Sequence, residues 1–309
     1  MKAVRIHAYA DPAAIRYEEA PTPAIQDDEL LIKVAAAGIN PIDWKIQQGY
    51  FEQFIPHKLP FIPGWDVAGS VEKAGAAVEA FKVGDRVYAM ADVTRDGCYA
   101  EYAAVKASRV ARVPRSISIN EAASIPLAAQ TAWTVLFEAG GMKAGQSVLV
   151  HAAGGGVGMF AVQLAKNAGA YVVGTCSAAN AAFVKSLGAD EAIDYAREDF
   201  AASQRFDLVV DAIGGETQAK SLSAIRSGGT LISIASPVDE KAAAAQGVRA
   251  AFAGTNPSGE LLGKLAAIID AGKLKTLIAE TFPLKDAAKA LELSRGGHVR
   301  GKIILAVAG

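Results

Sequence analysis

Apolar positions along this chain change rhythm near Asn120. Before it, Val, Ile and Tyr gather in short runs, "KAVRIHAY", "ELLIKVAAAGIN", "VAGSVEKAG", "GDRVYAM" and "YAEYAAVKASRVARVP", with Gly, Pro and Asp between them. Such runs between turn formers predict strands, here of a compact antiparallel domain. Beyond Asn120, strands alternate with helices: "SVLVHAA", "VGMFAVQLAKNAG", "YVVGT", "AANAAFVKSLGA", "EAIDY", "FDLVVDAIGG", "TQAKSLSAIRSGG", "TLISIAS" and "GVRAAFAG". This succession predicts βαβ units on a parallel sheet. A helix over "SGELLGKLAAIIDAGKL" and strand-like pieces ending in "GKIILAVAG" follow, and "EKAAAAQG" reads as a helix or a loop. The expected class is α/β, with a β-rich first part and a doubly wound parallel sheet after it.

The junction between "SVLVHAA" and the next helix carries the first chemistry. Val148, Leu149 and Val150 form the apolar run of a buried strand. Val157, Phe160, Ala161, Leu164, Ala165 and Ala168 then follow helical spacing, with Gln163, Lys166 and Asn167 on the opposite face. Gly154, Gly155, Gly156 and Gly158 lie between strand and helix, although glycine weakens a helix interior by about 1 kcal/mol against alanine. At the first βα turn of a βαβ unit, backbone N–H groups attract a pyrophosphate, and glycine lets it approach. Ala153, Gly155 and Gly158 take the three slots of the dinucleotide fingerprint, the first as alanine. The strand before, the helix after and the βαβ units downstream supply the context that motif needs. A flexible turn that packs a helix on a sheet is the alternative reading.

The second strand should end beside the ribose. NAD-type sites place Asp or Glu there, about 20 residues past the glycines. Here "YVVGT" runs into Cys176, Ser177 and Ala178, with no acid to pair the ribose hydroxyls or repel a phosphate. That favours NADPH over NADH, with Ser177 and Asn180 as hydrogen-bond donors to a 2′-phosphate. Lys185, the nearest cation, is expected to point into solvent. A polar turn without cofactor preference is the alternative.

Charge and composition remove other classes. Lys and Arg number 31 against 32 Asp and Glu, so no global field draws nucleic acid or an anionic membrane. No stretch approaches the roughly 20 apolar residues of a membrane helix, and "MKAVRIHAYADP" lacks the apolar run of a signal peptide. Cys98 and Cys176 are too few for a disulfide framework or an all-cysteine zinc site. A reducing cytoplasm is the expected compartment.

"AAGINPIDWKIQQG", "FIPGWDVAGSVEKAGAAVEAFKVGDRVYAM", "EAASIPLAAQTAW", "AAGGGVGMFAVQLAK", "KSLGADEAIDY" and "GKIIL" occur in this order across nearly the whole chain. Together they resemble the zinc-independent medium-chain dehydrogenase/reductases, in the quinone oxidoreductase group. The resemblance implies a GroES-like catalytic domain split between residues 1–121 and 257–309, a Rossmann domain over 122–256, and an active site in the cleft. It implies cofactor contacts at Asn40 and Thr131 on the nicotinamide side. Ala153, Gly155, Gly156, Val157 and Gly158 would hold the pyrophosphate. Tyr195 would lie with Ser177 beside the 2′-phosphate, and Ala212, Ala235 and Phe252 along the nicotinamide ribose. Asn180 stands where many NADPH-using members of that group carry Lys. A homodimer through the edge strand "GVRAAFAG" is implied as well.

Zinc-dependent relatives place a Cys in the segment matching "GINPIDWK" and a His-Glu pair after "PG". This chain has Asn40 and Asp43, then Trp65 and Asp66, and its four histidines lack ligand spacing, so no metal is expected. Without a Lewis acid, hydride transfer to a quinone or to the β-carbon of an enone is easier than oxidation of a simple alcohol. The charge then spreads to an oxygen that one hydrogen bond holds. Asn40 or Tyr50 is the candidate donor, and Tyr50, Phe51 and Trp65 are candidate walls of a flat apolar pocket. Core packing is the other reading of Trp65 and Phe51. Asp43 is expected to cap a helix through "DWKIQQG". The expected function is an NADPH-dependent quinone or enone reductase. A nucleotide-binding protein of the same fold with little or no catalysis, and an alcohol dehydrogenase, are the alternatives.

Overall fold

The structure, a computed structural model, describes residues 1–307. The last two residues of the expected closing segment lie outside the described residues. The chain divides into two compact units: unit 1 joins Met1–Gln130 to the segment from Pro257 onward, and unit 2 is Thr131–Asn256.

Unit 1 opens on a hairpin of β1 (Lys2–Ile6) and β2 (Ile15–Glu19). The apolar pattern did not show β2, because none of its side chains is fully buried. Next come β3 (Glu29–Ile39), β4 (Asp66–Ala74), β5 (Arg86–Met90), β6 (Tyr102–Lys106) and β7 (Val110–Arg112). Unit 2 contributes β8 (Ser147–Val150), β9 (Tyr171–Cys176), β10 (Glu191–Asp194), β11 (Phe206–Asp211), β12 (Ile225–Ser233) and β13 (Arg249–Phe252). The chain returns to unit 1 with β14 (Ile278–Pro283) and β15 (Lys302–Ala306).

The main sheet of unit 1 runs β14-β15-β3-β4-β5-β7, with β6 also pairing β3. β3 is apolar over most of its length because β4, β6 and β15 all pair with it. Trp65, Tyr88, Tyr99 and Phe61 are the bulkiest buried side chains of this unit. The Tyr99 ring lies where a side chain on Gly64 would stand, 1.9 Å from its Cβ position. Gly64 also holds a φ of 80°, so only glycine suits the position. The helix Ala287–Arg295 was not predicted; alanines at 287 and 290 make up much of its buried face, which blurs the apolar period.

The segment "EAASIPLAAQTAW" forms two helices, Ile119–Ala123 and Pro126–Trp133, since Pro126 has no N–H to continue the first. The border between the units falls after Gln130 rather than after residue 121. Gln130 is buried, donates to Pro126 O at 3.1 Å and accepts from Ser258 N at 2.8 Å, all within unit 1.

The sheet of unit 2 runs β10-β9-β8-β11-β12-β13 with every pair parallel. This is the expected doubly wound order. Its strand direction of growth reverses between β8 and β11, and ligands of such sheets bind at the carboxyl ends beside that reversal.

Candidate active site

β8 leads straight into the turn. His151 N donates to Val210 O at 3.0 Å, Ala153 N donates to Thr175 O at 3.0 Å, and Gly155 N donates to Ala152 O at 2.9 Å. Ala152 takes a left-handed φ of 51° between these ties. The helix Gly156–Asn167 then begins with Gly155 as its N-cap, a residue with no side-chain acceptor. The first N–H groups of a helix have no partner in that helix. Those of Gly156, Val157 and Gly158 are therefore presented to an anion, where the helix dipole favours negative charge.

Not every glycine here has the same reason. A Cβ on Gly158 would meet Ala152 O at 2.2 Å and Ala153 Cα at 2.8 Å, so helix and turn touch backbone to backbone. At Gly154 the nearest atoms would be those of Asn180, at 3.7 Å, an ordinary contact. The residues present thus fit a dinucleotide diphosphate: an uncapped first turn and a backbone that a ligand can approach. Gln163, expected on the exposed face, is instead buried and folds back to donate to Met159 O at 2.8 Å.

The other unit 2 residues assigned to the cofactor, Thr131 apart, follow the carboxyl ends of the strands. Asp194 pairs in register with Cys176, and Tyr195 N donates to Cys176 O at 3.2 Å, which sets Tyr195 beside Ser177. Asn180 N donates to Ser177 O at 2.9 Å. Lys185 is exposed, as expected, and its ammonium donates to Asp190 O. Two acids that the second-strand argument did not weigh, Asp194 and Glu198, lie near enough to help burial push the Cys176 thiol up. Both are engaged in the local turn: Glu198 accepts from Asp194 N at 2.9 Å, and Asp194 from Ala196 N at 3.2 Å.

Ala212 and Ala235 follow the ends of β11 and β12, and Phe252 ends β13; Asp211, Ser233 and Phe252 stand side by side in register. Thr131 is buried at the start of the unit. Sequence reasoning missed Asp211. Its buried carboxylate accepts from Ile213 N and Gly214 N at 2.9 Å, Ser233 Oγ at 2.7 Å and Gln218 Nε2 at 3.1 Å. An acid closing the apolar run "LVVD" just before "GG" was the signal available.

Unit 1 corrects three expectations. The Asn40 amide is engaged within unit 1 rather than open to solvent. It is buried, its Nδ2 donates to Asp66 Oδ2 at 2.9 Å, and its Oδ1 accepts from the Lys302 ammonium. Trp65 is fully buried with its indole N–H donated to Arg95 O at 3.1 Å, so it is core rather than a pocket wall. Asp43 is not itself the N-cap of the helix Pro41–Gln47; Asn40 is, and Asp43 in the first turn accepts from Asn40 N at 2.7 Å. Tyr50 alone of the unit 1 candidates is open, 65% exposed, its ring edge-on to Trp44 at 6.0 Å.

The cluster around Asn40 is ionic and dry. Lys302 Nζ also donates to Ile39 O at 2.8 Å and lies 3.9 Å from Asp66 Oδ2. Asp66 Oδ1 accepts from Leu127 N at 2.8 Å, and Tyr99 OH donates to Asp43 Oδ2 at 2.6 Å. Burial pushes Asp43 up to about 7 and Asp66 to about 6, against the hydrogen bonds and the Lys302 charge that favour ionisation. A raised carboxyl pKa means that the folded chain keeps a proton the unfolded chain releases. Stability from this source is complete below the ordinary value near 4 and is lost as pH rises through 7.

Both bonds to Asp43 fall on Oδ2, and its buried Oδ1 has no partner. Asp43→Asn can therefore keep both acceptor bonds while removing the charge. Urea unfolding should show it more stable than the parent at pH 8, no different at pH 4, and with a shallower slope between. Parallel profiles would refute the assignment.

Comparison with known proteins bears on the family. The description "alcohol dehydrogenase GroES-like domain" matches residues 26–115, and "zinc-binding dehydrogenase" matches residues 187–305. A chloroplast envelope quinone oxidoreductase homolog of Arabidopsis thaliana is 35% identical over 99% of this chain and 98% of its own. A 2-methylene-furan-3-one reductase of Solanum lycopersicum is 38% identical over 92% of this chain and 73% of its own. A mycobacterial protein solved in complex with NADPH superposes with a TM-score of 0.89 at 31% identity, over 99% of this chain and 100% of that one. The zinc of the second description finds no fitting donor set. The Asn40 oxygen is taken by Lys302 and the Asp66 oxygens by the Asn40 amide and Leu127 N, and no group of three His, Cys, Asp or Glu among the described residues is placed to hold an ion. The chain belongs to the quinone oxidoreductase group of the medium-chain dehydrogenase/reductases.

Proposed function

We propose that this chain is an NADPH-dependent reductase that passes hydride to a quinone or an α,β-unsaturated carbonyl without a metal. The observation that carries the reading is the uncapped glycine turn at the β8/β11 reversal. The NADPH-bound mycobacterial structure and the quinone and furanone reductases among the relatives support it. When bound, the reduced nicotinamide supplies the hydride. The main-chain N–H groups of Gly156, Val157 and Gly158 hold the diphosphate. Ser177, Asn180 and Tyr195 meet the 2′-phosphate. Ala212, Ala235 and Phe252 line the ribose, Thr131 belongs to the nicotinamide side, and Asp211 keeps the turn after β11 in shape. In unit 1 the exposed Tyr50 presents a flat ring and a phenol O–H that can hold the oxygen on which negative charge gathers.

Purified protein with NADPH should consume it in the presence of at least one member of a panel of quinones and alkenones, faster than NADH, and at an undiminished rate after chelation. No turnover with any member would overturn the reading; loss of rate on chelation would overturn its metal-free part.

The proposal includes a homodimer through β13, which among the described residues pairs only with β12 and leaves one edge open. A monomer at micromolar concentration in light scattering would refute it. The cytoplasm is the proposed compartment, on the strength of two buried thiols that form no disulfide. No helix among the described residues is long and apolar enough to cross a membrane.

A further inference from the structure

His151 ends up at a junction that the dinucleotide motif does not explain. It is buried at the head of the phosphate turn, its backbone bound to β11. Its ring Nδ1 lies 2.9 Å from Thr175 Oγ1 of β9, and its Nε2 lies 2.8 Å from Ser221 Oγ. Ser221 ends the helix Gly215–Ser221, which follows β11. The ring also packs edge-on against Phe200 at 4.7 Å.

Hydrogen accounting decides the tautomer. Ser221 Oγ donates its one hydrogen to Thr217 O at 2.6 Å, so toward the imidazole it accepts. Nε2 therefore carries the proton, and Nδ1 accepts from the Thr175 hydroxyl. Burial pushes the imidazole down to about 4, with Asp211 the charge that resists, so the ring is neutral at ordinary pH.

Thr175 thus grips the turn twice: its hydroxyl holds the ring of His151 and its carbonyl holds Ala153 N. Ala152, in its left-handed conformation, is caught between. We infer that His151 is a positioning residue for the dinucleotide site, bridging β9 and the helix after β11 so that the turn keeps its anion-binding shape. This rests on the proposed cofactor reading. It adds a residue that need not touch the ligand.

The test compares the parent with His151→Phe, which keeps a ring but loses both bonds, Thr175→Val, which removes the same bond from the other side, and His151→Gln, which retains a donor and an acceptor. NADPH dissociation constants come from fluorescence titration; KM for NADPH and kcat come from quinone reduction. The first two variants should raise both the dissociation constant and KM about tenfold, equivalent to about 1.4 kcal/mol, with kcat at saturation within about twofold of the parent. His151→Gln should fall between. If His151→Phe does not fold, Thr175→Val alone decides. Folded variants that melt at lower temperature yet bind NADPH as the parent does would overturn the inference, leaving His151 a core residue only. A parent that binds no NADPH would instead overturn the cofactor reading itself.

Discussion

Replacing Lys302 with methionine is expected to destabilise the folded chain by about 3–5 kcal/mol, the range for breaking a buried ion pair by removing one partner. Methionine roughly fills the lysine stem but brings no charge. Ile39 O and Asn40 Oδ1 lose their ammonium donor, and Asp66 loses the cation 3.9 Å away while staying buried. The loss is structural in a specific sense. Lys302 opens β15, in the segment that returns to unit 1 after unit 2, whereas Asn40 and Asp66 come from the first segment. The ammonium therefore helps to pin the returning chain to β3, its neighbour in the sheet. Urea unfolding should show a lower midpoint for Lys302→Met with little change in m-value. Adding Asp66→Asn should recover part of the loss, because it removes the charge left without a partner. A loss below about 1 kcal/mol would show that the cluster tolerates an unpaired carboxylate and that its net contribution is small.

What could be read in advance follows from range along the chain. The glycine turn between strand and helix was legible because strand, glycines and helix are contiguous, and the period of "VGMFAVQLA" places the helix without tertiary information. The parallel sheet was legible for the same reason: each βαβ unit carries its own alternation. The ionic cluster was not. Asn40 and Asp43 are three residues apart, but Asp66, Tyr99 and Lys302 reach them only through segments distant along the chain, by the pairing of β3 with β4 and β15 and by the stretch before β6, which no local pattern reveals. That is why Asn40 reads as an open donor in the sequence, while Trp65 reads equally as a pocket wall and as core until its burial is seen. Each has chemistry suited to a site, and only the fold shows that both are buried and hydrogen-bonded inside unit 1. The lack of ligand spacing around His151 says nothing about a ring held between two hydroxyls, one from a strand and one from a helix.

The helix N-terminus itself is the most sensitive point of the proposed site. Gly158→Ala should weaken NADPH binding by about 100-fold, equivalent to nearly 3 kcal/mol, since its Cβ would fall 2.2 Å from Ala152 O and that neighbour is backbone. The helix must then move off the turn or the turn must open, and either shift carries the N–H groups of Gly156 and Val157 away from a common anion. Gly154→Ala is the internal control. It adds the same methyl to the same turn, but its nearest neighbours are side-chain atoms of Asn180 at 3.7 Å, so the turn keeps its shape and the loss, which comes only from a methyl on the backbone the ligand approaches, should be no more than about threefold. Calorimetric titration with NADPH separates the two, and circular dichroism shows whether each variant is folded. Equal losses at both positions would mean that the freedom of the glycine run, rather than the single backbone contact at Gly158, makes the turn competent to bind.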